Sequence, residues 1–241
     1  MSFEFLPVHT RLVHPPKDDI FDILESLPAL QEKDIVFITS KILGIHQGRC
    51  VPCSGTDKTE LIRQESDRYL SYTHPSGFNV NLTVTDNVLI PAAGIDASNA
   101  GGYYVMWPKE TDKLCAEIRA FLCKKNKLKD LGVVSTDSHT TPLRYGVTGI
   151  STGLAGVEPL KDLRGQKDLF GRELALTQVD QIDALAAMAV LLMGESDECT
   201  PIIILRGWDK IVFNETASMR DFKISPEDDL YTPLLSVMKC K

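Results

Sequence analysis

The sequence lacks any apolar run long enough to cross a membrane. Its longest, from Ala184 to Met193, breaks off at Gly194-Glu195, about half the length of a spanning helix. The N-terminus, MSFEFLPVHTRLVHPP, lacks the basic stretch and apolar core of a secretory leader. Neither end carries a lipidation motif. These absences make the cytoplasm the expected address and exclude a membrane as partner. Positive charge is also short: 26 Lys and Arg stand against 33 Asp and Glu, a net charge of −7. That balance excludes a general nucleic-acid binder, which needs a strongly basic face. It leaves room for a local basic pocket around an anionic substrate. There is no glycine-rich phosphate loop of the Rossmann or Walker type. Nor is there a clear Ser-His-Asp or Cys-His arrangement for nucleophilic catalysis.

Cysteine is present without a framework pattern. The six lie at 50, 53, 115, 123, 199 and 240. Beside Cys50-Val-Pro-Cys53 a zinc site would want a second pair or several histidines, and only His46 is close. A chain of 241 residues buries roughly three quarters of its unfolded surface and needs no disulfide staples. The thiols are therefore expected to be reduced and structural. Hydrophobic residues at 43% and charged residues at 24% are ordinary for an ordered globular protein.

Periodicity supplies the elements. Phe3 to Val8 alternates as a strand does, and Asp18 to Leu27 places Ile20, Ile23, Leu24 and Leu27 on one helical face. The unbroken apolar run from Asp34 to Lys41 reads as a strand buried on both faces. Asp57 to Tyr72 reads as a polar surface helix, and a hairpin turns at Asp86-Asn87. A short strand is expected at Tyr103 to Trp107 and an amphipathic helix at Lys109 to Lys125, with Cys115 and Cys123 near its packed face. Leu131 to Thr136 is a core strand ending at Asp137, followed by a glycine-punctuated strand. Leu174 to Val179 alternates, Gln181 to Met193 is a core helix, Pro201 to Leu205 a buried strand, and Ser225-Pro226-Glu227-Asp228 a helix start. Long linkers, repeats and low-complexity segments are absent. Irregular alternation of helices and hairpins gives an α+β or mixed α/β fold with mixed, largely antiparallel sheets.

Three acids share one setting, an apolar element followed by glycine or hydroxyl residues: Asp96 in PAAGIDASN, Asp137 in VVSTDSHTT and Glu195 in LLMGESDE. Element ends are where a rigid scaffold presents functional groups. Asp96, Asp137, Ser138 and Glu195 form a donor set suited to a hard cation, which would neutralise nucleotide phosphates. Acids in such places also serve as caps and turn formers. His139 is a candidate proton carrier and Arg144 a candidate grip on carboxylate or phosphate; the alternative for both is an ordinary solvated loop.

Five segments in order carry a family resemblance: GIDASN at 94–99, STDS at 135–138, GVTGISTGLAG at 146–156, KDLFGREL at 167–174 and LLMGES at 191–196. The sequence resembles the coenzyme F420-0:L-glutamate ligases, the CofE-like γ-glutamyl ligases, nearest the branch associated with folate metabolism. The resemblance implies one module over 1–241, a two-lobed fold of two intertwined subdomains assembled as a homodimer. It implies Mg²⁺ or Mn²⁺ with GTP (or ATP) as co-substrate, L-glutamate, and a small carboxylate acceptor that is F420-0-like or folate-like. Asp96, Asp137 and Ser138 match metal positions, Glu195 the acid of a second metal, and Asn99 a nucleotide contact. Arg11, Leu12, Val13 and His14, then Thr39, Ser40 and Lys41, then Met193, Gly194, Ser196 and Asp197 match nucleotide-contacting segments. Asp137, Arg144 and His139 are the expected catalytic set. Ile45 and Gln47 stand where the family often has Lys and Glu; loss of that phosphate-facing Lys weakens triphosphate binding unless Lys41, His46 or Arg49 substitutes, which leaves the nucleotide and the acceptor open. A metal-dependent phosphohydrolase and a non-catalytic nucleotide-binding protein are the rival functions.

Overall fold

The computed structural model describes residues 2–240. The chain opens with β1 (Glu4–Val8), α1 (Ile20–Glu25), β2 (Ile35–Thr39) and α2 (Ser40–His46). Next come β3 (Cys50–Pro52), α3 (Lys58–Glu65), β4 (Arg68–Thr73), β5 (Asn79–Thr85), β6 (Val88–Pro91) and β7 (Tyr103–Val105). Then follow α4 (Thr111–Asn126), β8 (Gly132–His139), β9 (Thr148–Val157), β10 (Leu160–Asp162), β11 (Gln178–Asp180) and α5 (Gln181–Met193). β12 (Ile202–Arg206), β13 (Phe213–Asn214), α6 (Thr232–Leu235) and β14 (Lys239–Cys240) complete the order.

Six strands form the main sheet in the order β1-β12-β2-β8-β9-β13. β2 and β8 are its parallel pair, and the other pairings are antiparallel. The alternation of β2 explains why its apolar run is continuous. Val36 and Ile38 pack against α1 and α4, while Ile35 and Phe37 pack against α5. All four are fully buried, as a sheet covered on both faces requires. At the far end of this sheet Arg206 closes a fork on the buried Asp34 carboxylate, with Nε 3.0 Å from Oδ1 and Nη2 2.7 Å from Oδ2. A second, antiparallel sheet runs β14-β4-β5-β6, and two small ribbons pair β3 with β7 and β10 with β11. The fold is thus α+β with mixed, mostly antiparallel sheets.

Several elements differ from the expectation drawn from periodicity. The helix expected over 57–72 stops at Glu65, and Arg68–Thr73 pairs with β5 along its whole length. Tyr69, Tyr72 and Thr73 suit a pleated surface, and Ser66 ends the helix in an extended conformation. The strand expected to reach Lys41 turns helical at Ser40. α2 can lie against the neighbouring chain because Gly44 has no side chain: a Cβ there would sit 2.3 Å from the Met106 carbonyl oxygen. The strand expected from Leu174 shrinks to β11, since only β10 offers it a partner. The Ser225 start gives turns, and a short helix begins only at Thr232. All six cysteines are free; Cys115 is fully buried in the α1–α4 core and Cys123 packs beside it. No helix among the described residues is long and apolar enough to cross a membrane.

Candidate functional site

Strand order decides where the loops meet. In register, Val8 of β1 faces Ile202 of β12, Ile202 faces Ile38 of β2, and Ile38 faces Ser135 of β8. β1, β2 and β8 therefore end, and β12 begins, at the same edge of the main sheet. The segments 10–13, 39–45, 137–138 and 193–201 emerge there side by side, joined by the 96–99 loop. They enclose a cavity of about 460 Å³. Asp96, Asp137, Ser138 and Glu195, taken from three separate motifs, all line it.

Each acid has a distinct setting. Lys41 Nζ sits 2.6 Å from Asp96 Oδ2 and 3.0 Å from both the carbonyl oxygen and the hydroxyl of Ser98. Asp96 Oδ1 accepts from the backbone N–H of Ala97 at 2.7 Å and of Ser98 at 3.0 Å. Burial alone would raise this carboxyl, but the Lys41 ammonium and the Ser98 hydroxyl outweigh it and hold it at about 2. Burial dominates at Asp137 and pushes it up to about 6, against the indole N–H of Trp107 and the Ser138 amide, which favour its charge. Trp107 reaches that carboxylate only because position 94 is glycine. There φ is +69°, and a Cβ would fall 2.4 Å from the indole nitrogen. Burial also raises Glu195, opposed by the Ser138 hydroxyl, 3.4 Å from its Oε2.

The loop after α5 is tied down by hydrogen bonds at several points. Asn99 Nδ2 donates to the Ser196 carbonyl at 2.7 Å, Thr200 Oγ1 to the Met193 carbonyl at 2.7 Å, and the Thr10 amide to the Cys199 carbonyl at 3.0 Å. The Ser196 amide is held by Glu198 at 2.9 Å.

Charge in the cavity is unbalanced. Asp96, Asp137, Glu195, Asp197 and Glu198 line it, against Arg11 and Lys41. Arg11 is engaged by Asp18 through both terminal nitrogens, at 2.6 and 2.8 Å. These oxygens suit a hard cation chemically. Among the described residues, however, no three His, Cys, Asp or Glu side chains gather closely enough to enclose one ion. Lys41 and Trp107 are each hydrogen-bonded to one of these acids, Lys41 to Asp96 and Trp107 to Asp137.

The other expected residues divide. Arg11, Leu12, Val13, Thr39, Lys41, Asn99, Met193, Gly194, Ser196 and Asp197 line the cavity. His14 and Ser40 adjoin it without lining it; the His14 amide donates to Asp18 instead. Arg144 lies on an exposed loop, its guanidinium on the Leu143 carbonyl. His139 also lies off the cavity wall; its Nδ1 is buried without a partner, and burial lowers its pKa against the opposing pull of Asp183. Ile45 is buried with Ala100 and Val105 and gives the cavity an apolar wall. Gln47 clamps residue 109 through two bonds of 2.9 and 2.8 Å. Of the three cations that could stand in for a lysine at position 45, Arg49 is held by Glu65 and the Trp107 carbonyl, and His46 packs on Phe21. Lys41 alone of the three lines the cavity. Trp107 and Ser98 were not legible as site residues; the one hint was the glycine two positions before Asp96.

Comparison with known proteins gives the chain a family. A family model described as "F420-0:Gamma-glutamyl ligase" matches residues 7–207. A coenzyme F420:L-glutamate ligase of Methanococcus maripaludis is 42% identical over 224 residues, 86% of this chain and 88% of that protein. Proteins of the same name from Methanopyrus kandleri and Archaeoglobus fulgidus are 31% and 29% identical. They cover 80% and 95% of this chain, and 82% and 96% of their own lengths.

Proposed function

The chain belongs to the F420-0:gamma-glutamyl ligase family, and from that premise we propose that it joins L-glutamate to the carboxylate of an F420-0-like acid at the expense of GTP or ATP. An acceptor carboxylate oxygen bonds to the γ-phosphorus and the nucleoside diphosphate leaves. The deprotonated amine of glutamate then attacks the acyl carbon of the acyl phosphate. Inorganic phosphate departs and an amide remains. Phosphorylation is needed because a free carboxylate is a poor electrophile.

One observation carries the reading: Asp96, Asp137, Ser138 and Glu195, drawn from three separate motifs, all line one cavity. They would hold Mg²⁺ or Mn²⁺, which when bound supplies positive charge to the transferring phosphoryl group. Their oxygens fit such ions, and five lining carboxylates would otherwise repel a triphosphate. The chain's own groups do the rest. The fixed 193–200 loop orients the nucleotide, and the Trp107 indole holds Asp137 in place. The apolar wall around Ile45 helps keep water from the acyl phosphate.

Two copies work together as a homodimer. Support comes from the arm between β10 and β11, whose Leu169 and Phe170 are 100% and 97% exposed. Such side chains on a projecting hairpin suit a partner of the same kind.

The direct test combines the protein with Mg²⁺ or Mn²⁺, GTP or ATP, isotopically labelled glutamate and F420-0. Mass spectrometry should find a glutamyl adduct formed in step with phosphate release. Steady phosphate release without an adduct on F420-0, a folate or another pterin-type acid would instead favour a phosphohydrolase.

A further inference from the structure

We propose that Lys41 is a built-in counter-ion which a divalent cation must displace from Asp96, and that the released ammonium then serves the nucleotide's phosphates. This rests on the metal- and nucleotide-dependent reading above. The Lys41 ammonium has three donors. In the structure it has three acceptors: Asp96 Oδ2 at 2.6 Å, the Ser98 carbonyl and the Ser98 hydroxyl, both at 3.0 Å. It therefore already occupies the carboxylate oxygen that an ion at Asp96 would take. Two cations on one carboxylate oxygen repel strongly when half-buried. The ammonium and the ion are thus alternatives on Asp96.

The other cations near the cavity have fixed duties. Arg11 is forked on Asp18, and Arg49 is held by Glu65 and the Trp107 carbonyl. None of these partners is a candidate metal ligand, so an arriving ion leaves them in place. Lys41 differs because its partner is such a ligand. Its four-carbon stem lets the head swing within the same cavity, where no other free cation among the lining residues faces the phosphates. Ion binding therefore does two things at once: it fills Asp96 and liberates a phosphate ligand. Coupling of this kind is reciprocal, so nucleotide must also strengthen ion binding. Lys41 carries that coupling.

The test reads binding rather than turnover. Mn²⁺ is titrated into nucleotide-free wild type, Lys41→Met and Lys41→Gln, and free Mn²⁺ is followed by electron paramagnetic resonance. Both variants should bind Mn²⁺ about 10-fold tighter than wild type, a factor usual for coupled sites. The gain in GTP affinity on adding Mn²⁺ should shrink by a similar factor. Equal or weaker Mn²⁺ binding in a folded variant overturns the counter-ion role while leaving the ligase reading intact. Wild type that binds no Mn²⁺ even with GTP or ATP present overturns the metal reading itself, and this inference with it. Wild type alone gives a further check: Mg²⁺ without nucleotide should shift the ammonium NMR signal of Lys41. An unmoved signal at saturating Mg²⁺ also overturns the proposal.

Discussion

Lys41 Nζ lies 2.6 Å from Asp96 Oδ2, so one of the two cations lining the cavity is paired with one of its candidate metal ligands. The chemistry proposed for the site depends on how that pairing yields and on how the other acids are held.

Asp137 accepts from both the Trp107 indole and the Ser138 amide. Asn at this position keeps an acceptor for the indole but loses the charge. Asp137→Asn should lower kcat at least about 100-fold while leaving the circular dichroism spectrum and melting temperature unchanged. Turnover measured as phosphate release checks this, and wild-type turnover would remove Asp137 from the site.

Gly94 serves the same acid indirectly. Gly94→Ala would set a methyl 2.4 Å from the Trp107 indole nitrogen at a φ of +69°. Displacement of the ring and backbone strain should together cost about 2 kcal/mol. Denaturant unfolding measures the loss, and Trp107→Phe separates the two effects. That variant removes the indole bond to Asp137 without the strain, so it should lower activity more than Gly94→Ala lowers it per unit of lost stability.

A second pair of acids lies away from the cavity. Asp180 caps α5 by accepting from the Asp183 amide at 3.0 Å, and burial beside the Asp183 carboxylate raises it from 3.8 to about 6. A raised carboxyl means that the folded protein holds the proton more tightly. Its contribution is complete below the unfolded value of roughly 4 and is lost as pH rises through about 6. Asparagine caps equally well and does not ionise. Asp180→Asn should match wild type near pH 4 and exceed it above pH 6 by about 0.5 kcal/mol, a figure reduced for solvent screening. Melting curves across that range decide it; a constant offset would exclude the titration of Asp180 as the cause.

The exposed arm gives a prediction about assembly. Leu169→Asp combined with Phe170→Asp places charge on side chains that contact nothing within the chain. Light scattering should find the wild type at twice the chain mass and the double variant at one chain mass, with unchanged circular dichroism. A double variant that stays dimeric would clear the arm tip of that role.

Much of this was readable from sequence because it follows from local pattern. β2 and α5 are strongly periodic or continuously apolar, and their positions came out within a residue or two. Asp96, Asp137 and Glu195 were legible through their motifs. The misjudged segments are those where a distant partner decides. Arg68–Thr73 is a strand because β5 lies beside it, and α2 begins at Ser40 because Gly44 can approach the Met106 carbonyl. Trp107 reads as an ordinary core aromatic until Gly94 is seen to make room for it. His139 and Arg144 follow Asp137 closely in sequence, yet β8 and the exposed loop after it carry both off the cavity wall. Adjacency along the chain is a poor guide to adjacency in a site built from strand ends.

The parallel pairing of β2 with β8 has a consequence for how the cavity is assembled. β2 and β8 lie side by side with Thr39 opposite Thr136, and β12 joins β2 from still further along the chain. Contacts of such long sequence separation form late and slowly in folding. The cavity is lined from segments 10–13, 39–45, 96–99, 137–138 and 190–201, so its wall is complete only when these distant parts of the chain are assembled. A ligand that fits the cavity then binds the native state alone, and its free energy is felt throughout the fold. A nucleotide or metal bound in the cavity should therefore protect even the amides of α4, none of whose residues lines it, from hydrogen exchange.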